Sequence, residues 1–135
     1  MPDYRENLMT AKEIFDNGMA LMATNRDEDF TLVQYIVPWI NQALAESFQA
    51  ENSIRLYEGR ESLTAPQQIT SEDEDIEYDD RLQQYALSYF IASLVASDDG
   101  DTYRAEDFRR RYVVALSEVS KLISTEIVDV YKMGD

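Results

Sequence analysis

The stretch RLQQYALSYFIASLVAS, Arg81 to Ser97, is apolar nearly all the way round when it is wound into a helix. Leu82, Tyr85, Tyr89, Ala92 and Ala96 share one face, and Leu87, Phe90, Ile91 and Leu94 fill most of the remainder. A helix without a polar side has to be surrounded by other elements. Its small residues, Ala86, Ala92, Ser93 and Ala96, leave room for those neighbours to come close. The fold is therefore expected to be built around residues 79–97, with the rest of the chain as wrapping.

That wrapping reads as more helix. In TAKEIFDNGMALMA, Thr10 and Glu13 have capping-box spacing, and Ile14, Met19 (or Gly18), Leu21 and Met22 make an apolar face within residues 10–23. Gly18 costs about 1 kcal/mol relative to alanine inside a helix, so it marks either a close helix contact or a break. Asn25 with Glu28, or Asp29 alone, opens a second helix over residues 29–50, where Phe30, Val33, Val37, Ile40, Leu44 and Phe48 recur every three or four positions. Pro38 falls inside that stripe. Because the stripe keeps its phase there, a kink is expected rather than a split. Asp80 and Gln83 have capping spacing at the start of the central helix. The last helix, residues 102–130, sets Phe108, Tyr112, Ala115, Val119, Leu122, Ile127 and Val130 on one side and charge on the other. The expected fold is all-α: one domain over residues 1–135, a helical bundle of about four main helices.

Between the second and third helices the periodicity stops. Residues 51–78 read as a long loop, with SIRLYEG alternating like a short strand and TAPQQIT extended around Pro66. A connection of that length is usually functional or disordered. It also concentrates acid: residues 52–80 hold 9 acidic and 2 basic residues, a deficit of 7 within a net charge of −15. A calcium loop needs oxygen ligands alternating about a glycine turn. SEDEDIEYDD contains no glycine, and SDDGD puts Val95 and Ser97 at the first two ligand positions, so neither fits. Glu77, Asp79 and Asp80 suit the positive end of the central helix, as Asp98, Asp99 and Asp101 suit that of the last. Glu72, Asp73, Glu74 and Asp75 lie a turn or more upstream. They are expected to keep the loop solvated and extended until a partner orders it.

The chemistry available is narrow. The chain has no histidine and no cysteine, which removes the usual general base, the commonest metal ligand, any thiol nucleophile and any disulfide. There is no Gly-rich phosphate loop, and carboxylate-only metal chemistry on a bundle normally wants a Glu-x-x-His pair. No enzyme, cofactor or metal is expected. The longest clean apolar run, Met19 to Ala23, is far below the roughly 20 residues of a membrane span and also below the 7–15 of a signal peptide. An intracellular setting is the default expectation. The negative field repels nucleic acid and anionic lipid and attracts basic partners, so sequence-specific nucleic acid binding and membrane binding are not expected.

Two further features bear on partners. Arg109, Arg110 and Arg111 are the one dense basic patch; on a helix they fan over about 200°, too wide for one phosphate-binding face. Arg109 and Arg110 are expected to face outward, pairing with local acids or with a neighbouring subunit's acidic loop. An acidic loop and a basic helical face in one chain allow head-to-tail, ring-forming contact. Among nine tyrosines, Tyr85, Tyr89 and Tyr112 read as core, whereas Tyr57, Tyr78, Tyr103 and Tyr131 lie in the loop or near helix ends, where tyrosine serves as an interface anchor.

The order of TAKEIFDNGMALM, YIVPWINQALAESFQAEN, APQQITSEDEDIEYDD, QYALSYFIASLVASDDGD and AEDFRRRYVVALSEV resembles the small head–tail connector (adaptor) proteins of long-tailed phages and prophages, over residues 10–120. The resemblance implies a non-enzymatic helical subunit of the virion neck, assembled in the host cytoplasm. Such subunits form a ring between the portal protein and a tail-side neck protein, and DNA passes through it. It also implies that the 51–78 loop and the C-terminal tail rearrange on docking. The rival expectation is a small acidic regulatory protein that occupies a basic groove on a DNA-handling partner.

Overall fold

The computed structural model describes residues 8–133, with side-chain surroundings given through residue 121. Five α-helices follow one another: α1 (Ala11–Leu21), α2 (Ile36–Glu46), α3 (Phe48–Tyr57), α4 (Leu87–Asp98) and α5 (Thr102–Met133). A 3₁₀ turn, Phe30–Tyr35, leads into α2, and a π-helical turn, Leu82–Ala86, leads into α4. The described residues form no strand; an isolated antiparallel bridge joins Thr10 to Asp75. The all-α expectation holds.

α4 is the central element. It packs against α1, α2 and α5, and Leu87, Phe90, Ile91, Ala92, Val95 and Ala96 along it are buried. Its near-continuous apolar circumference is satisfied from several sides at once, as a helix of that composition requires. Gly18 makes the α1 contact close: a Cβ there would sit 2.6 Å from Ile91 Cγ2, so of the two readings of this glycine the close contact is the one found. On the opposite flank Phe90 meets Tyr112 of α5 edge-on, with ring centroids 5.2 Å apart. Burial pushes the Tyr112 hydroxyl up to about 12, with Glu46 adding to the shift.

The helix expected over residues 29–50 is three pieces, for two local reasons. Pro38 falls in the first turn of α2, where a missing N–H costs nothing because the first N–H groups of a helix have no internal acceptor. The chain therefore neither kinks nor splits at Pro38; the change of geometry precedes it, at the 3₁₀ turn. That turn leaves Phe30 72 % exposed, off the expected stripe. The second change comes at Ser47, which is fully buried and donates its hydroxyl to the Ala43 carbonyl at 2.7 Å. Such a bond back along the helix bends it, and α3 departs from there. SIRLYEG, read as a short strand, is the second half of α3, which carries the helix to Tyr57 and shortens the connection to residues 58–79.

Candidate interaction surface

The acidic connection is folded onto the body. Ile69, Ile76 and Tyr78 are buried to within 2 % exposure, and Tyr78 donates its hydroxyl to the Leu44 carbonyl at 2.7 Å. Burial raises the Tyr78 hydroxyl to about 12, so it stays a donor across the ordinary pH range. The expectation of a solvated loop held open by its own repulsion is thus corrected: apolar anchors spaced through the segment outweigh that repulsion.

An irregular segment cannot satisfy its backbone in a ladder, and side-chain amides take that role here. The Leu63 N–H donates to Asn52 Oδ1 at 2.8 Å while Asn52 Nδ2 donates to the Leu63 carbonyl at 3.0 Å. Asn41 holds both backbone groups of Ile69 in the same two-sided way, at 2.7 and 3.1 Å. Gln67 accepts from the Glu77 N–H and donates to the Asp75 carbonyl. Gln83, expected in a helix cap, is instead fully buried: it accepts from the Met9 N–H at 2.8 Å and donates to the Tyr78 carbonyl.

Charge closes the base of the segment. Glu51 of α3 is 0 % exposed; it accepts from Arg55 at 2.5 Å, from Arg60 at 3.3 Å and from the Asp79 N–H at 2.6 Å. Arg55 in turn donates to the carbonyls of Glu61 and Glu77. Loss of water raises the Glu51 pKa despite those donors. At Asp79 burial also acts upward, but hydrogen bonds from the Arg81 side chain and N–H outweigh it and hold the carboxyl below its usual range.

Glu72 to Asp75 find their place at the start of α1, a helix distant in sequence. The Ala11 N–H donates to the Glu74 carbonyl at 3.0 Å and the Lys12 N–H to the Glu72 carbonyl at 2.9 Å. Thr10 supplies the remainder: its hydroxyl accepts from the Glu13 N–H and its carbonyl from Ile14, with Glu13 completing the capping box. All four unpaired N–H groups at this helix start are satisfied, and the four acids gather at the positive end of its dipole. The Glu74 carboxylate accepts from the N–H groups of Thr70 and Ser71, which lower its pKa. Glu72 lies 3.9 Å from Arg26, while Asp73 and Asp75 are exposed.

The arginines occupy a different flank. Arg109 covers the rings of Phe90 and Tyr112 and lies 3.7 Å from Glu46, so it serves its own chain. Arg110 and Arg111 share Asp107 at 3.7 and 3.1 Å, and the Arg110 side chain is 73 % exposed. Among the described residues no ion pair joins Glu72–Asp75 to Arg109–Arg111. Tyr57 ends α3 at 37 % exposure, and Tyr131 lies outside the residues whose side chains are described.

Beside the arginines runs an apolar groove of about 680 Å³ that the sequence reading missed. Tyr85 and Tyr89, at the π turn and on α4, form one wall; Val114, Ala115 and Val119 of α5 form the other. Arg81, Arg110, Arg111 and Glu118 complete the lining. Tyr85, expected in the core, is 58 % exposed, and Val114 is 50 % exposed. Leu82, Gln83, Ala86, Leu87, Phe90 and Ile91 take the buried face of this run, and Tyr85 falls on the other side of it. The hint in the sequence was the pair Val113–Val114, two apolar residues outside the α5 stripe.

Searches against protein-family models, curated proteins and solved structures find no match. Among the described residues no group of three or more acidic side chains is placed to hold a metal ion, and no helix is long and apolar enough to cross a membrane.

Proposed function

We propose that this chain is a non-enzymatic structural subunit of a phage or prophage virion neck, joining the portal protein to a tail-side neck protein as an oligomeric ring through which DNA passes. The observation that carries the reading is the separation of two fixed, unlike surfaces on one small body. The acidic segment is fastened to the start of α1, and the arginine-edged groove lies between α4 and α5. Among the described residues, α1 and α5 each pack on α4 without comparable packing on one another. An arginine-edged groove on a chain with a large excess of acid is suited to an acidic element of a second copy, and a head-to-tail contact repeated by rotation closes into a ring. The net charge of −15 suits a channel wall that lets DNA slide without holding it.

Electron microscopy of the purified protein mixed with its cognate portal tests this. The expected result is an added ring of density beneath the portal; a portal left bare at saturating protein would overturn it.

A further inference from the structure

We infer that the groove between the π turn, α4 and α5 receives the C-terminal end of α5, residues 122–133, from a second copy of this chain. α5 has 32 residues, about 48 Å at 1.5 Å per residue. The antiparallel helical run beside it, the π turn plus α4, has 5 and 12 residues, about 26 Å at the same rise. Val114, Ala115, Glu118 and Val119 of α5 line the groove with that run, and α5 continues for 14 residues beyond Val119, to Met133. α5 is thus longer than that run by about 22 Å, and an apolar stripe on the added length is a surface a second copy can cover.

The sequence of that end carries one. Ile123, Ile127 and Val130 recur at four and three residues, and Glu126 and Asp129 flank them on one side. The groove offers the matching features: apolar walls from Tyr85, Tyr89 and Val114, with Arg110 and Arg111 in the same lining. A basic edge on a chain of net charge −15 is selective for such an acidic helix and repels the arginine-rimmed groove of another copy, which favours a groove-to-tail contact over a symmetric one.

The inference rests on the self-association in the proposed function and fixes which surfaces carry it. The chain has no cysteine, so introduced thiols report without background. Val114→Cys and Ile127→Cys lie thirteen residues apart on one helix, about 20 Å, too far for a disulfide within a chain. Full-length single variants, each with its own mass tag, are oxidised separately and mixed, at millimolar protein and on the portal. The expected product is the mixed 114–127 disulfide, formed only in the mixture and cut about tenfold by Arg110→Glu with Arg111→Glu. Dimers of Val114→Cys alone, or no disulfide in either setting, would overturn it. If a ring forms on the portal without the 114–127 link, the groove assignment falls and the neck reading stands. If the link forms but no ring appears on the portal, the groove assignment stands and the neck reading falls.

Discussion

Residues 58–79 and the outer face of α5 differ in a way that inverts first impressions. The connection is irregular and dense in acid, yet its anchors are buried and its backbone is held by four side-chain amides and a buried carboxylate. α5 is an unbroken helix of 32 residues, yet Val113 and Val114 stand half-exposed on it beside an open groove. Regular backbone satisfies its own hydrogen bonds and needs no neighbour for them; irregular backbone must be satisfied by the rest of the molecule. In this protein the irregular segment is the committed one, and the regular helix carries the surface left over for partners.

The largest effect expected from breaking this contrast is at Glu51. Glu51→Ala leaves Arg55, Arg60 and the Asp79 N–H without their shared acceptor and should cost about 3–5 kcal/mol in urea unfolding. Ile76→Ala, which removes a loop anchor at 0 % exposure, should cost about 2–5 kcal/mol. A loss below about 0.5 kcal/mol, the size expected of a surface change, would mean the segment is not part of the core. Gly18→Ala forces a methyl against Ile91 and should cost about 1–3 kcal/mol. On α5, Val114→Ser should leave stability within about 0.5 kcal/mol while weakening contact between copies.

A pH series sharpens the same contrast. Because the Glu51 pKa is raised in the fold, folding favours its protonated form. That contribution is complete below the unfolded value of 4.5 and is lost as pH rises through the folded value. Asp79, held low, behaves oppositely: its contribution is present above 3.8 and fades as pH falls through its folded value. The stability of the native chain relative to Glu51→Gln should therefore decline as pH rises from 4.5. A difference that does not vary with pH would contradict the raised pKa.

The central helix was legible from its composition, and so were the Thr10–Glu13 cap and the close contact at Gly18, because each depends on residues near in sequence or on one face of one helix. The amide clamps were not. Asn41 and Ile69, or Gln83 and Met9, meet only after the helices have assembled, and no periodicity announces them. Pro38 misled because its position relative to a helix start decides its cost, and the preceding 3₁₀ turn is a tertiary choice. The acids at Glu72–Asp75 were read as a charge problem in their own segment, whereas their backbone serves α1, some sixty residues earlier. The groove lies on the side of Tyr85 and Tyr89, because the buried face of that run includes a glutamine, Gln83, which apolar spacing leaves out.

Native-state hydrogen exchange on the isolated full-length chain tests most directly whether the acidic segment belongs to the body before any partner arrives. Amides of Leu63, Ile69, Ile76, Glu77 and Asp79, together with Ala11 and Lys12, should be protected in company with those of α4. Exchange of these amides at the rate of an unstructured peptide, with α4 still protected, would contradict the account.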